Sequence, residues 1–322
     1  MKRSAGSLAR RREVRARRRV ALIAALAGLF PLTNSANAPA AASDTVEVSV
    51  EGAQIHVVFE RSAFAANGTP VLEWVRRSGT IVGAYYGRFP ARQVTLRLID
   101  WPGEGVHGGT TFGTPAALIR VNVGRAVTNA ELESDWVLVH EMTHLALPDT
   151  GEVHAWLSEG LATYVEGIAR VQAGNRSEAD VWAEEIRQMP HGLPQAGDQG
   201  LDHTHTWGRT YWGGAMFCLL ADVDIRKRTE LRFGLQDALR PILRASGGLA
   251  ADWPIERVLR VGDAAVGTRT LEYLYAQMKD TPVAPDLMAL WRELGVEPEG
   301  AGVRLDDNAP LAPVRRAIMR AP

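Results

Sequence analysis

Two histidines and a glutamate stand close together in the segment His140-Glu141-Met142-Thr143-His144, an H-E-x-x-H motif. On an α-helix, residues four apart share one face, so both imidazoles can reach a single ion while Glu141 lies beside them. The surrounding side chains are almost all apolar, which predicts a buried helix. Burying two imidazoles and a carboxylate costs free energy unless a partner offsets it, and a bound cation is the partner that this pattern predicts.

A catalytic zinc ion usually takes three protein ligands and a water, so one more ligand is needed. The metzincin motif requires Gly at position 147 and His at position 150, whereas this chain has Leu147 and Thr150. A short loop and a second apolar-periodic segment follow, which predicts an antiparallel helix pair. In such a pair, residues about equally far from the loop face each other, so Glu159 should meet His144. Glu159 is therefore the expected third ligand, and Glu141 the expected general base.

Two motifs resemble those of the gluzincin metallopeptidases: the H-E-x-x-H segment and the later Trp156-Leu157-Ser158-Glu159-Gly160. A third stretch, which begins with Tyr211-Trp212-Gly213-Gly214-Ala215, resembles the glycyl-aminopeptidase family and its relatives. The resemblance covers roughly residues 106–294. It implies that Glu159 is a zinc ligand, that each chain holds one Zn²⁺, and that Tyr211 opens a helix and faces the metal as a catalytic residue.

The chain also departs from the family pattern. The interval from His144 to Glu159 is shorter than usual, and Gly213 stands where relatives often have a lysine. The Gly108-Gly109 pair lies where relatives have a glycine-rich loop that meets the amino end of the substrate, although a plain structural turn would also explain the glycines. Relatives place an acidic residue there, whereas this chain has Thr110-Thr111, so both an aminopeptidase and an endopeptidase remain open.

Further candidate residues lie outside the motifs. Glu166 follows Glu159 by seven residues on the same helix face. There its carboxylate could orient an imidazole ligand by accepting a hydrogen bond from the ring nitrogen that does not bind the metal; a solvated surface glutamate is the alternative. Extended peptides commonly bind by adding a strand to a sheet edge. We expect Ile119–Val123 to be that edge, and Asn122 and the Gly108-Gly109 pair to bind substrate.

Periodic patterns around the motifs predict an α+β fold. The resemblance implies a thermolysin-like zincin catalytic domain, with a small twisted β-sheet, the H-E-x-x-H helix and the glutamate helix, followed by a C-terminal helical bundle. The signal peptide is assigned to residues 1–38, the zincin half-domain to residues 39–175 and the mainly helical domain to residues 176–322. The elements predicted before the motif are a hairpin at Thr45–Phe59, a helix at Thr69–Phe89, strands at Gln93–Ile99 and Ala117–Val123, a glycine-rich loop at Trp101–Gly113 and a capping box, Thr128-x-x-Glu131, that opens the motif helix.

The second half of the chain is predicted to be mostly helical. Its polar segment Asp202-His203-Thr204-His205 leaves a second metal site open, with ordinary loop histidines as the alternative. The predicted short helices are Leu235–Leu243, Arg257–Val261, Leu271–Met278 and Leu287–Leu294.

The charge distribution bears on possible partners. The 322 residues include 36 Lys and Arg and 37 Asp and Glu. Residues 1–38 hold nine of the basic residues and one acid, so the remainder holds 27 basic and 36 acidic residues, a net charge of −9. This acidic remainder argues against nucleic acid as a partner. A peptide or protein substrate is the partner that the motifs predict.

Residues 1–38 have the pattern of a targeting segment. Arg10–Arg19 forms a charged n-region, Val20–Phe30 an apolar h-region, and Ala36-Asn37-Ala38 a cleavage site of small residues. The apolar run is too short to span a bilayer comfortably. We predict a cleaved signal peptide and an exported bacterial protein, periplasmic or secreted, with no stable membrane span after processing. An uncleaved membrane anchor or a basic tail is the alternative.

These features predict an exported enzyme that hydrolyses peptide bonds with a zinc-activated water. The rival from another class is a non-catalytic exported binding or assembly module that keeps the fold and a structural zinc. Its weakness is Glu141, because a closed structural site needs no general base beside its ligands.

Overall fold

The computed structural model describes residues 44–60 and 68–321 of the chain. The first element is a β-hairpin of strands β1 (Asp44–Val50) and β2 (Ala53–Phe59), which confirms the predicted hairpin. Every second residue of β2 is buried, as the alternation of its side chains requires. Glu51 and Gly52 form the turn, both with positive φ, the backbone geometry that suits a two-residue hairpin.

Helix α1 (Gly68–Tyr86) follows and packs against β1. The predicted helix at Thr69–Phe89 is confirmed over most of its length, and Val75 and Val82 of its expected apolar stripe are buried. The helix ends before the prediction does because Gly87 has a φ of 76°, a left-handed conformation that commonly terminates helices.

Three further strands follow: β3 (Gln93–Trp101), β4 (Val106–Phe112) and β5 (Leu118–Gly124), so both strands predicted for this region are confirmed. The five strands form one mixed sheet in the order β1-β2-β3-β5-β4. β2, β3 and β5 run parallel to one another, whereas β4 pairs antiparallel with β5.

Strand β4 corrects two predictions. Most of the glycine-rich segment Trp101–Gly113 forms this strand rather than a loop, and β4 rather than Ile119–Val123 is the edge of the sheet. Gly108 and Gly109 have no side chains, so they interrupt the alternation by which a strand is recognised in sequence. A register shift between Val106 and Gly109 disturbs the pattern further.

The H-E-x-x-H motif lies on helix α3 (Val137–His144), which follows the short helix α2 (Asn129–Ser134). The predicted capping box of Thr128 and Glu131 forms, but it opens α2 and not the motif helix. Asp135 lies between the two helices and, with an extended backbone, ends the first of them. Its carboxylate accepts hydrogen bonds from the first two backbone N–H groups of α3, at 3.0 and 3.1 Å, and so starts a new helix there.

Helix α4 (Ala155–Gln172) carries Glu159 and packs against both α1 and α3. The short helices predicted after residue 234 are all present. The remaining elements are α5 (Glu178–Gln188), α6 (Gly214–Arg228), α7 (Leu235–Ser246), α8 (Ile255–Val266), α9 (Thr270–Met278), α10 (Leu287–Leu294), the hairpin of β6 (Val296–Glu299) and β7 (Gly302–Leu305), and α11 (Ala312–Met319).

The described residues all belong to one compact unit. The domain boundary predicted at residue 175 falls between α4 and α5. Helix α6, which follows this boundary, packs closely on α4, which precedes it. The division into residues 39–175 and 176–322 stays a prediction. The targeting segment predicted at residues 1–38 lies outside the described residues. None of the helices between residues 68 and 321 combines the length and apolar character that crossing a membrane requires.

Candidate metal centre

The motif helix α3 faces the first turns of α4, and three side chains meet between them. The Nε2 atoms of His140 and His144 lie 3.3 and 3.4 Å from the same carboxylate oxygen of Glu159. The candidate ligand atoms of the three residues all lie within 4.8 Å of one another. Both imidazoles are buried, and the Glu159 side chain is 28% exposed, so the centre opens to solvent on the carboxylate side. Across residues 44–60 and 68–321, this is the only such group of three that could hold a metal ion.

The spacing of these atoms fits zinc. Zinc binds imidazole nitrogen and carboxylate oxygen at about 2.0–2.2 Å in a tetrahedral arrangement, which puts neighbouring ligand atoms about 3.4 Å apart. The observed 3.3 and 3.4 Å match that separation. They are longer than the usual charge-assisted hydrogen bond of about 2.8 Å. The three side chains therefore surround a common point instead of closing on one another.

Electrostatics favour an ionised Glu159 beside the imidazoles. Burial disfavours a protonated His144, but the carboxylates of Glu159 and Glu141 outweigh it and raise the pKa of His144 to about 8. Burial by itself would raise the pKa of Glu159, whereas the two imidazoles lower it well below its usual range. A metal ion requires the same ionised form of the carboxylate.

One imidazole of the pair is oriented by a hydroxyl. The Ser158 hydroxyl lies 3.0 Å from His144 Nδ1, where it can accept a hydrogen bond from the Nδ1–H group and leave Nε2 free to bind a metal. His140 Nδ1 is buried and has no hydrogen-bond partner among the described residues. Ser158 was not among the predicted site residues. Its place directly before Glu159, in the first turn of α4, is the signal that could have found it.

Strand β4 lies directly against the predicted general base. Glu141 is only 4% exposed, and the Thr111 hydroxyl lies 2.6 Å from its Oε2 and 2.9 Å from its backbone oxygen. A Cβ at Gly109 would lie 2.6 Å from Glu141 Cγ, so only glycine fits there. Gly108 precedes it on β4 with a φ of 120°. The predicted glycine pair therefore lies on the edge strand beside the motif helix.

Tyr211 reaches the centre from a π-helical turn, Arg209–Gly213, that leads into α6. Its ring stacks with the His140 ring at a centroid distance of 6.3 Å, so the structure places it beside one of the candidate ligands. Burial and the charges of Glu159 and Glu141 raise the pKa of Tyr211 well above its usual value. The hydroxyl therefore keeps its proton at neutral pH and can donate a hydrogen bond. Single π-helical turns of this kind occur frequently at functional sites.

Two glycines set the distance between this turn and α4. A Cβ at Gly160 would lie 2.2 Å from Gly214 Cα, and a Cβ at Gly214 would lie 1.9 Å from the backbone oxygen of Trp156. Only glycine at both positions allows the two backbones to approach so closely. Gly160 follows Glu159 directly, so this contact holds Glu159 and the Tyr211 turn in a defined relative position.

Glu166 is not brought to either imidazole. It is buried on α4, with its carboxylate 3.6 Å from the guanidinium of Arg170 and 3.8 Å from that of Arg176. Burial outweighs these arginines and raises the pKa of Glu166 to about 7. This corrects both the predicted contact with a ligand imidazole and the surface alternative. Two helical turns carry Glu166 about 10 Å along α4 from Glu159, beyond the reach of an imidazole bound there.

The other predicted candidates lie in different settings. Asn122 is on the interior strand β5, in register with Ile99 of β3, and its role in substrate binding stays a prediction. Asp202, considered for a second metal site, accepts a hydrogen bond from Trp156 Nε1 at 2.8 Å. His203 lies 2.8 Å from a carboxylate oxygen of Asp280. The structure gives Asp202 and His203 these separate partners and does not group them as metal ligands.

Known structures resemble the chain, although no family model and no curated protein sequence matches it. An aminopeptidase N family protein from Idiomarina loihiensis matches with a TM-score of 0.55 and 13% identity, over 79% of this chain and 49% of that one. A mutant M1 zinc metallopeptidase from Deinococcus radiodurans matches with a TM-score of 0.50 and 14% identity, over 76% and 53% of the two chains. A mutant two-domain M1 zinc metallopeptidase bound to L-arginine matches with a TM-score of 0.50 and 12% identity over the same shares.

The chain has a gluzincin peptidase-like fold. The expected α+β class, a mixed sheet with helices, is confirmed. At 12–14% identity the likeness concerns the fold alone. The chain spans about half the length of the structures that it matches.

Proposed function

We propose that this protein is a zinc-dependent peptidase. The observation that carries the proposal is the convergence of both histidine Nε2 atoms on one oxygen of Glu159, with the buried carboxylate of Glu141 beside them. The fold supports the same function, since the matched structures are M1 zinc metallopeptidases and an aminopeptidase N family protein. A binding module with a structural zinc would have no use for Glu141, whose burial costs free energy.

One zinc ion per chain would be held by His140, His144 and Glu159. Bound there, zinc would polarise the carbonyl of a peptide bond and lower the pKa of a water molecule to about 7. Ser158 supports this role because it fixes His144 with Nε2 directed at the centre. The short contact of Gly160 with Gly214 supports it from the other side, because it holds α4 in place.

Glu141 is the proposed general base. It lies three residues before His144 on the motif helix, and its carboxylate charge helps to raise the pKa of His144, which supports a position close to the centre. Glu141 would accept a proton from a water at the centre as it attacks the carbonyl carbon, and would pass the proton to the leaving amine. The Oε2 atom is engaged by Thr111, so the carboxylate is held in one orientation.

Tyr211 is the proposed oxyanion donor. Its ring is stacked on that of His140, and its hydroxyl remains protonated because its pKa is raised. The hydroxyl would donate a hydrogen bond to the carbonyl oxygen as that oxygen gains negative charge. Such a donor stabilises the transition state more than the ground state.

The edge strand β4 is the proposed site for the substrate backbone. Among the described residues, no strand pairs with its outer edge, and an extended peptide can add there by backbone hydrogen bonds. Gly109 of this strand contacts Glu141, which brings such a peptide to the centre. Thr110 and Thr111 carry no charge that would bind a free amino group. The proposal therefore includes endopeptidase as well as aminopeptidase activity.

We also propose that residues 1–38 direct export. The support is their basic, apolar and small-residue pattern. Mass spectrometry of the protein from the exported fraction should find an amino terminus after about Ala38. An intact amino terminus in a membrane fraction would favour the anchor.

Metal content and hydrolysis, measured on the same purified samples, test the function. We expect about one zinc per chain in both wild type and Glu141→Gln. Wild type should hydrolyse members of a panel of aminoacyl and amino-blocked peptides, and Glu141→Gln should be slower by roughly 10²–10⁴-fold because an amide cannot accept the proton. The matched control is Glu152→Gln, an exposed glutamate between α3 and α4, which should behave as wild type.

The possible failures are distinct. A wild type without zinc contradicts the metal assignment. Bound zinc without hydrolysis of any panel member favours the binding module. Equal rates for wild type and Glu141→Gln contradict the assignment of the general base.

A further inference from the structure

A threonine hydroxyl on the edge strand lies at hydrogen-bond distance from the proposed general base. Thr111 Oγ1 is 2.6 Å from Glu141 Oε2 and 2.9 Å from the backbone oxygen of the same residue. An ionised carboxylate and a backbone carbonyl only accept, so Thr111 donates its single hydroxyl proton, and the nearer acceptor is Oε2. The shorter contact, 2.6 Å, has the length expected for a hydroxyl bound to an ionised carboxylate.

This contact matters because Glu141 is almost fully buried. At 4% exposure its carboxylate has lost most of its water, and a buried carboxylate needs donors to remain stable. In residues 44–60 and 68–321, the hydrogen bond that the structure gives to this carboxylate comes from Thr111. The backbone of Gly109 packs directly against the Glu141 side chain, because a Cβ at this position would lie only 2.6 Å from Glu141 Cγ. Strand β4 therefore confines Glu141 by both packing and hydrogen bonding.

We propose that Thr111 is a positioning residue that sets the orientation of the Glu141 carboxylate for proton transfer. The hydroxyl holds Oε2, and the other carboxylate oxygen, Oε1, is left to accept the proton. Proton transfer depends steeply on distance and direction, so a carboxylate free to rotate would spend less time in the reactive orientation. Thr111 acts through Glu141 and is not proposed to touch the substrate.

The proposal rests on the proposed peptidase function and adds a specific consequence to it. Thr111 interacts with the base and not with the zinc ligands, so its loss should slow the chemical step without emptying the metal site. Its loss should also leave substrate binding largely intact. Loss of a group that orients an active-site residue typically lowers activity about 10- to 100-fold.

Three variants separate the hydroxyl from the shape of the side chain. Thr111→Val keeps the branched shape and removes the hydroxyl, whereas Thr111→Ser keeps the hydroxyl and removes the methyl group. Thr95→Val is the matched control in the same sheet, because Thr95 lies on β3, two strands away from β4 and outside the proposed site. Wild type and Glu141→Gln are measured beside them. For each protein the measurements are kcat, KM, zinc per chain and melting temperature.

We expect Thr111→Val to lower kcat by about 10- to 100-fold, with KM and zinc content within about threefold of wild type. Thr111→Ser should recover most of the loss, and Thr95→Val should retain the wild-type kcat. A Thr111→Val variant with wild-type kcat overturns the proposal. So does a Thr111→Ser variant as slow as Thr111→Val, because the side chain's shape would then matter and not its hydroxyl.

The two proposals fail in different ways. A wild type that hydrolyses peptides, with Glu141→Gln inactive and Thr111→Val unaffected, overturns the positioning role alone. A wild type that hydrolyses nothing in the panel overturns the peptidase function, and the role of Thr111 with it. A loss of zinc or a fall in melting temperature in Thr111→Val that tracks its lost activity would make Thr111 a structural residue and also overturns the proposal.

Discussion

Two clusters of histidine and carboxylate flank the start of helix α4, and they differ in how their atoms meet. In the first, His140 and His144 approach one oxygen of Glu159 at 3.3 and 3.4 Å. In the second, Asp202 accepts hydrogen bonds from Trp156 Nε1 at 2.8 Å and from the Tyr275 hydroxyl at 2.7 Å. Both clusters bury polar atoms at considerable cost.

The Asp202 cluster closes on itself. Its two short hydrogen bonds occupy both carboxylate oxygens, and His154 adds a third contact, with Nε2 3.6 Å from Asp202. The Tyr275 hydroxyl also lies 3.3 Å from that nitrogen. Donors and acceptors thus match one another within the protein, and such a cluster stabilises the packing of α9 against the start of α4.

The cluster at Glu159 stays open. Its nitrogen–oxygen distances, 3.3 and 3.4 Å, are longer than the 2.7 and 2.8 Å hydrogen bonds to Asp202, and His140 Nδ1 has no partner among the described residues. Natural proteins rarely leave buried polar atoms unpartnered without a function for them. The wider spacing and the unpartnered nitrogen at Glu159 leave room for a ligand. The short, fully paired hydrogen bonds at Asp202 stabilise the fold instead.

The largest effect that this contrast predicts is the loss of metal from one cluster only. Glu159→Ala should reduce zinc from about one ion per chain to background and abolish hydrolysis, because two imidazoles alone bind zinc too weakly. Asp202→Ala, measured by the same elemental analysis at a temperature where it is folded, should retain its zinc. Full zinc in Glu159→Ala would show that the third ligand lies elsewhere.

Removal of the Tyr211 hydroxyl should affect catalysis without affecting metal. Tyr211→Phe removes one donor to charge that develops only in the transition state, so kcat and kcat/KM should fall together by roughly 10²–10³-fold. Zinc content should not change, since phenylalanine fills the same space. Steady-state kinetics within a few-fold of wild type would remove Tyr211 from the site and make it a packing residue.

Asp202→Ala should lower stability by about 2–3 kcal/mol, because it leaves the Trp156 and Tyr275 donors buried without an acceptor. Denaturant unfolding of the metal-free proteins measures this directly. Asp202→Asn, which keeps one acceptor oxygen, should lose less. If Glu159→Ala destabilises the metal-free protein as much as Asp202→Ala does, the distinction between an open and a closed cluster fails.

The smallest effect concerns pH. Asp202 raises the pKa of His154, so the stabilisation from this pair is complete below the unfolded value of about 6.5 and is lost as pH rises through the folded value. Burial alone would raise the pKa of Asp202, but its donors lower it, so Asp202 stays ionised in that range. His154→Gln should therefore cost below about 1 kcal/mol near pH 6 and less at pH 9. A cost that grows with pH would contradict the pairing.

Local patterns were predictable because they depend on neighbours in the chain. The hairpin at β1 and β2 follows from period-two alternation, and the face shared by His140 and His144 follows from their spacing of four residues. The antiparallel arrangement that brings Glu159 to His144 follows from a short loop between two apolar segments. Each of these features involves at most a few turns or strands that are consecutive in sequence.

Long-range contacts were not predictable in this way. Thr111 and Glu141 are 30 residues apart, and nothing in either local pattern predicts that they touch. Strand β4 lies at an edge because β5 pairs with β3 on its other side, and that pairing depends on how all five strands are arranged. The environment of Glu166 depends in part on Arg176, which lies beyond the end of α4 and packs back against it in the fold.

The amino-acid sequence by itself therefore determined which residues could form a metal centre, because ligand type and helical spacing are local properties. The tertiary structure alone decided which residues from distant parts of the chain support that centre. The backbone contact of Gly160 with Gly214 and the bond from Thr111 to Glu141 each join elements that are distant in the chain. Such contacts depend on how strands and helices pack together, and packing is a property of the complete fold.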